Sequence, residues 1–240
     1  MTSIKPVDRT SLPVSPGNEE IPLPSVSGLS AAVLLGAAAG IALLLGVIPA
    51  LATSASGPEP KVYWYLSRSS AIVSYVLLWL STAFGLLIST KLSRSWPGAG
   101  RAVLWHQDLT LAGLGTALFH ALVLLGDRFI GFSPTQLLVP FASGYQPVMV
   151  GLGQLALYLG LAVWLSFYFR ARIGTRAWRL LHYLGFVVVL LALLHGIGSG
   201  SDSANRWVAT LYWATGGGLL FLTLARLLLK GVPPAKARAS

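Results

Sequence analysis

The stretch RAVLWHQDLTLAGLGTALFHALVLLG, residues 101–126, decides the fold of this chain. Its apolar character extends beyond the roughly 18 residues that indicate a transmembrane helix. Nevertheless it carries a histidine near each end, His106 and His120. An ionisable side chain inside a membrane span is costly, which makes both histidines candidates for function.

A second apolar stretch also has a histidine near each end. It reads RLLHYLGFVVVLLALLHGIG, residues 179–198, and contains His182 and His195. The chain has four histidines, and all four lie in these two stretches. The two stretches are therefore expected to have a common role.

Composition places the chain in the membrane. It is 55% hydrophobic and only 10% charged, whereas a soluble domain has about 25% charged residues. The apolar runs are continuous and do not alternate, which favours helices over a β-barrel. The absence of cysteine excludes disulfides, thiolate catalysis, iron–sulfur clusters and covalently attached haem.

The predicted fold is all-α, an integral membrane bundle of six transmembrane helices. A polar tail, residues 1–28, is expected to be disordered. The bundle covers residues 29–230, and a short tail covers 231–240. The six spans are predicted at residues 29–52, 62–90, 102–126, 148–169, 177–197 and 207–229.

Basic residues set the predicted orientation. Cationic loops of membrane proteins stay on the cytoplasmic side, and most lysines and arginines lie after spans two, four and six. The other side has only Lys61, Arg128 and Arg206, plus Arg68 inside span two. Both termini are therefore predicted to be cytoplasmic. The protein is expected in a plasma or inner membrane. The net charge of +10 is explained by topology and lipid headgroups, and we expect no nucleic-acid partner.

The longest loop, residues 127–146, contains SPTQLLVPFA. Ser133 suits a helix N-cap and Pro134 the first helical position. We predict a short surface helix on the extracytoplasmic face. It serves either as a lid or as an ordinary interfacial connector, and the sequence favours neither.

Depth in the membrane predicts how the histidines pair. Spans three and five run in the same direction, so His106 meets His182 (the inner pair) and His120 meets His195 (the outer pair). At 1.5 Å per residue the two levels are about 21 Å apart on span three and about 20 Å apart on span five. Two such levels cover most of a hydrocarbon core that is about 30 Å thick.

Helical rotation fits span three better than span five. His120 lies within about 40° of His106, but His195 lies about 140° from His182 on an ideal helix. A π-bulge or kink in span five would bring both to one face, and Gly185 is one place for it.

Gly113 and Gly115 fall midway between the histidines of span three. They leave room either for a bulky ring or for close helix packing.

Neutral imidazole is a good axial ligand for haem iron. Four histidines at two matching depths therefore favour two haem sites over simple interhelical hydrogen bonds. The alternative from another class is a transporter or channel that uses the histidines as a proton or metal relay. That class would be expected to carry more membrane acids, and only Asp108 qualifies. A purely structural anchor would leave the histidines unexplained.

The combination of His106-x13-His120 in span three and His182-x12-His195 in span five resembles the ferric reductase-like transmembrane domain. That family includes the membrane domains of NADPH oxidases and ferric reductases and the haem-binding subunit of the bacterial methionine sulfoxide reductase system. The resemblance covers about residues 62–229. Supporting stretches are YVLLWLSTAFGLLIST, residues 75–90, and RAWRLLHYLGF, residues 176–186.

The resemblance implies two non-covalent b-type haems held by His106, His120, His182 and His195 as metal ligands. It implies electron transfer across the membrane to an extracytoplasmic acceptor. NADPH oxidases and ferric reductases carry a further flavin and nicotinamide domain, whereas here only about a dozen residues follow span six. The expected donor is therefore a flavoprotein or a membrane quinol. A quinone is the additional cofactor candidate, and the chain is expected to act as an oxidoreductase subunit that needs partners.

Haem propionates need cationic or hydrogen-bonding partners. Arg68 lies early in span two on the extracytoplasmic side, so we predict that it serves the outer haem. Arg101 and Arg179 could serve the inner haem, but their positions fit ordinary anchoring at the cytoplasmic surface better.

Overall fold

The computed structural model describes residues 62–128, 130–200 and 202–229. The predicted N-terminal tail, the first predicted span at residues 29–52 and the tail 231–240 lie outside these residues. In the part of the chain that the structure describes, every regular element is helical and there is no strand.

Eight α-helices follow one another along the described residues. They are α1 Val62–Ser89, α2 Ala99–Val123, α3 Pro134–Leu138, α4 Pro147–Ser166, α5 Arg170–Ile173, α6 Thr175–His182, α7 Leu184–Ser199 and α8 Arg206–Leu229. Single turns of 3₁₀-helix follow α1 at Leu92–Arg94 and extend α2 at Leu124–Gly126.

Five helical segments of the described chain are long and apolar enough to cross a membrane. They are α1, α2 with its 3₁₀ extension, α4, α6 joined to α7, and α8. The all-α, multi-pass membrane class is therefore confirmed, and these five segments correspond to predicted spans two to six. Predicted span four, which is α4, ends at Ser166, three residues before its predicted end, because the chain turns there and begins α5.

The outer surface of the bundle is apolar, as a lipid-facing surface should be. Trp207 and Trp213 on α8 are 81% and 83% exposed, and Leu228 is 75% exposed. Monomeric soluble proteins rarely expose large contiguous apolar patches. The exposed apolar side chains are therefore expected to contact the hydrocarbon of a bilayer.

Helices α1 and α2 form a closely packed antiparallel hairpin. The Ser74 hydroxyl on α1 donates to the Gly113 carbonyl on α2 over 2.9 Å. A Cβ at Gly113 would lie 2.8 Å from the side chain of Leu78. Gly113 thus permits the close approach of two helices, the second of the two roles considered for it.

Helix α8 is joined to α1 through polar groups inside the bundle. Thr215 receives hydrogen bonds from two aromatic residues of α1. The Trp79 Nε1–H donates to the Thr215 carbonyl over 2.8 Å, and the Tyr75 hydroxyl lies 2.6 Å from Thr215 Oγ1. Interhelical hydrogen bonds of this kind fix the rotation of a helix that apolar contact alone would leave free.

The fifth predicted span is interrupted at Tyr183, between α6 and α7. The Tyr183 amide donates to the carbonyls of both Arg179 and Leu180, and the Phe186 amide donates to the Tyr183 carbonyl. The bonds from Tyr183 to Leu180 and from Phe186 to Tyr183 span three residues and tighten the helix locally. The helix is thus irregular between His182 and His195, but by a tightened turn at Tyr183 and not by the π-bulge that the sequence suggested near Gly185.

Candidate functional site

The inner pair lies between α2 and α6. The ring centroids of His106 and His182 are 5.8 Å apart, and the two ring planes make an angle of 74°. The partners are those that their depth in the membrane predicts.

The outer pair lies between α2 and α7. The ring centroids of His120 and His195 are 6.1 Å apart, with an interplanar angle of 66°. The two pairs therefore have almost the same geometry at two levels of one bundle. The interruption at Tyr183 lies between the two histidines of the fifth span and accompanies their common orientation toward α2.

Helix α1 orients both histidines of α2 through its peptide carbonyls. His106 Nδ1–H donates to the Ser81 carbonyl, and His120 Nδ1–H donates to the Ser67 carbonyl, each over 2.8 Å. The hydroxyls of the same serines lie 2.9 and 3.1 Å from these nitrogens. Because a carbonyl can only accept, the proton is fixed on Nδ1 and Nε2 keeps its lone pair.

The two serines are the residues that sequence reasoning missed. Ser67 and Ser81 are 14 residues apart on α1, as His106 and His120 are on α2. Because α1 and α2 are antiparallel and the two intervals are equal, Ser81 meets His106 at one level and Ser67 meets His120 at the other. The matching 14-residue interval was the available signal, but small serines are common in membrane helices for packing alone.

Helix α4 orients His195. The His195 Nδ1–H donates to the Met149 carbonyl over 2.8 Å, and the Ser199 hydroxyl is 3.4 Å from the same nitrogen. Gly153, one turn after Met149, lets the ring approach, because a Cβ there would lie 2.7 Å from His195 Nδ1. His195 thus has the same protonation pattern as His106 and His120.

His182 is held differently. Its ring makes no hydrogen bond to any part of the chain that the structure describes, and it stacks on Trp178 instead. The ring centroids are 5.1 Å apart with an interplanar angle of 28°. Trp178 lies one helical turn before His182 on α6, and no sequence pattern singled it out.

A cavity of about 300 Å³ adjoins the outer pair. His120 and His195 line it, together with small residues that include Ser67, Ala121 and Gly153. Ligand pockets of proteins begin at about this volume, about 300 Å³. The small side chains beside the imidazoles leave space for a bulky ring.

Helix α3 covers part of this cavity. The predicted short helix is confirmed: Ser133 is its N-cap and Pro134 its first residue, and Gln136 completes a capping box with Ser133. Leu137 and Leu138 of α3 contribute to the cavity wall. Helix α3 therefore forms part of the wall of the outer cavity, where a lid would lie.

Two side chains of α4 secure this lid. The Gln154 amide donates to the carbonyls of Gln136 and Leu137 over 2.9 and 2.6 Å, and the Tyr158 hydroxyl donates to the Leu138 carbonyl. These donors satisfy carbonyls at the end of α3 that have no partner within the helix. Gln154 Oε1 is buried and has no hydrogen-bond partner among the described residues.

Arg68 lies at the edge of the outer cavity. It forms an ion pair with Asp202, and its guanidinium is 5.5 Å from the centroid of the Trp64 ring. Arg68 and Asp202 both line the cavity that contains His120 and His195. The predicted position of Arg68 beside the outer pair thus has support, but its acidic partner was not foreseen.

Arg101 and Arg179, the candidates beside the inner pair, are exposed. Arg179 Nε donates to the carbonyl of Thr175 on its own helix over 3.3 Å. Exposed arginines at helix ends fit anchoring at a membrane surface.

The donor set restricts what could bind. In the described chain no group of three or more histidine, cysteine, aspartate or glutamate residues could hold a metal ion. Each histidine pair offers two imidazoles, so a metal ion there needs further ligands from elsewhere. Haem meets this requirement, because its porphyrin supplies four nitrogens and leaves two axial positions.

The spacing within each pair also fits. With metal–nitrogen bonds of about 2 Å and each ring centroid about 1 Å behind its nitrogen, two imidazoles on one metal ion have centroids about 6 Å apart. The measured separations are 5.8 and 6.1 Å. The separation within each pair is therefore compatible with two imidazoles on one metal ion.

No protein-family model, no curated protein and no solved structure matches this chain.

Proposed function

We propose that this protein is a transmembrane electron-transfer subunit that carries two b-type haems, one at the inner and one at the outer histidine pair. One observation carries the proposal. Two histidine pairs of closely similar geometry lie at two levels between the same membrane spans, and three of the four imidazoles have Nδ1–H bound to a peptide carbonyl. That arrangement presents Nε2 as a ligand.

The chain's own residues would hold and insulate the cofactors. The carbonyls of Ser81, Ser67 and Met149 fix the orientation of three imidazoles and increase their basicity. The lid helix α3 and the apolar cavity walls limit the access of water to the outer pair. When bound, haem supplies a one-electron redox centre at each level.

Arg68 and Asp202 set the electrostatics at the outer level. Both line the cavity beside His120 and His195, so the guanidinium is available to a haem propionate without leaving the neighbourhood of Asp202. A charge-assisted hydrogen bond to a carboxylate is about twice as strong as a neutral one. Arg68 is therefore the cofactor-binding residue that we assign in addition to the four histidines.

The partners follow from the proposed direction of transfer. His106 and His182 would hold the haem nearer the cytoplasmic side of the plasma or inner membrane, where a flavoprotein or a quinol would donate electrons. His120 and His195 would hold the haem nearer the opposite side, where an extracytoplasmic acceptor would take them. The protein thus acts as the membrane component of a ferric reductase-like oxidoreductase.

The decisive experiment is a dithionite-reduced minus oxidised absorption spectrum of the purified protein in detergent, with haem quantified per chain. Sharp b-type bands and close to two haems per chain are expected. One haem per chain would contradict the assignment of one of the two pairs. A folded sample without haem, expressed with ample haem supply, would refute the proposal and favour a histidine relay in a transporter.

A further inference from the structure

The four imidazoles are not oriented in the same way. His106, His120 and His195 each donate Nδ1–H to a peptide carbonyl over 2.8 Å. His182 has no such acceptor among the residues that the structure describes. In the inner pair, a hydrogen bond therefore orients the ring of His106, whereas the ring of His182 must be oriented by other contacts.

The local backbone does little to constrain His182. It is the last residue of α6, and the helix is interrupted at the next residue, Tyr183. Unlike the other three histidines, it also has no backbone carbonyl among the described residues as a hydrogen-bond acceptor for its ring. Its ring orientation must then depend on side-chain neighbours.

Trp178 is the neighbour that supplies this constraint. Its indole stacks on the His182 ring at 5.1 Å and 28°, while the ring of Phe167 packs edge-on against the indole at 6.0 Å. The indole is thus fixed on one side by an aromatic ring from the end of α4. The indole Nε1 is buried without a hydrogen-bond partner in the described chain. Trp178 therefore contacts His182 through the face of its ring and not through its N–H.

We propose that Trp178 is the positioning residue of His182: its indole face holds the imidazole plane nearly perpendicular to that of His106 and so sets the ligand field at the inner haem. This inference rests on the proposed function. It assigns the inner haem a ligand whose orientation depends on stacking, whereas both ligands of the outer haem depend on hydrogen bonds to carbonyls. Unlike a carbonyl acceptor, stacking does not increase the basicity of the ligand.

The test compares low-spin ferric EPR spectra of the haem-loaded protein, because the g values report the angle between the planes of the two axial imidazoles. The variants are W178L, which removes the aromatic face, and W178F, which keeps a face but removes the indole N–H. The matched control is W164L. Trp164 also packs edge-on against an aromatic residue, Tyr168, and among the described residues it makes no ring contact or hydrogen bond with a histidine.

The expected result is that W178L shifts the g values and midpoint potential of the haem that H182A removes, while the other haem is unchanged. W178F should restore most of the wild-type signal, and W164L should resemble wild type. An unchanged W178L spectrum would overturn the inference, as would equal effects of W178F and W178L, because the N–H would then be the important group. Loss of the inner haem in W178L but not in W178F would also support it.

The inference and the proposed function fail in different ways. A wild-type protein that binds no haem contradicts the proposed function itself. A wild-type protein with two haems whose spectra do not respond to W178L contradicts only the role of Trp178.

Discussion

The imidazole of His195 lies directly against the backbone of Gly153, so that a Cβ on Gly153 would stand 2.7 Å from His195 Nδ1. The same nitrogen donates to the Met149 carbonyl one turn earlier on α4. The absence of a side chain at one position of α4 is therefore what allows the outer pair to form.

G153A should displace the His195 ring. We expect the outer haem to be retained about 10- to 100-fold less strongly, the usual effect of changing a residue that orients a metal ligand, while the inner haem stays bound. Haem content after washing in detergent, together with the reduced spectrum, measures this loss.

The matched control is G217A, because a Cβ at Gly217 on α8 would meet nothing within 4 Å. It should keep both haems. Full haem content in G153A would show that the approach of His195 to Gly153 does not matter for binding.

Single histidine variants should fall into two classes. H106A and H182A should each lose the inner haem, and H120A and H195A should each lose the outer haem. The reason is that the rings of each pair lie 5.8 or 6.1 Å apart, so that each haem would have only the two histidines of one pair as ligands. Haem per chain should fall by half in every case, with identical residual spectra within a class.

The double variant H120A/H195A should be no worse than either single variant. If H120A and H182A instead left the same residual spectrum, the pairing by depth would be wrong. Full haem content in all four single variants would exclude the histidines as ligands.

Removing the charge of Arg68 and removing the charge of Asp202 should shift the midpoint potential of the outer haem in opposite directions. A nearby positive charge favours the reduced state, so R68Q should lower the midpoint potential of the outer haem, whereas D202N should raise it. The potential of the inner haem should change in neither variant. Redox titration followed by optical spectroscopy measures both haems in one experiment.

The cost in protein stability should be small in both variants. The side chains of Arg68 and Asp202 are 24% and 44% exposed, and partly exposed ion pairs contribute about 0–1 kcal/mol. Shifts of the same sign in R68Q and D202N would contradict a role through charge.

G113A should destabilise the whole bundle, because its Cβ would lie 2.8 Å from the Leu78 side chain and 3.3 Å from the Leu78 amide nitrogen. Overpacking of this kind costs about 1–3 kcal/mol. Thermal unfolding in detergent should show a lower midpoint than wild type, whereas G217A should not.

The double variant G113A/L78A tests the mechanism. Removing the Leu78 side chain creates the space that the new methyl group needs, so the double variant should be less destabilised than the sum of the two single variants. Strict additivity would show that the two residues do not compete for the same space.

The sequence by itself determined the membrane character, five of the spans that the structure describes and the two histidine levels. Each is a property of a single segment. An apolar run of sufficient length forms a helix across a bilayer because its backbone groups must bond internally, and residue spacing along that helix fixes depth. The 13-residue interval between His182 and His195 indicated an irregular helix, but neither the position at Tyr183 nor the tightened turn found there.

Only the tertiary structure decided what surrounds each histidine. Ser67 is 53 residues from His120, and Met149 is 46 residues from His195. Such contacts depend on how separate helices rotate and slide against one another, and that is set by packing of small residues across the whole bundle. The anchoring carbonyls, the glycine behind His195 and the pairing of Arg68 with Asp202 therefore appear only when the helices are assembled.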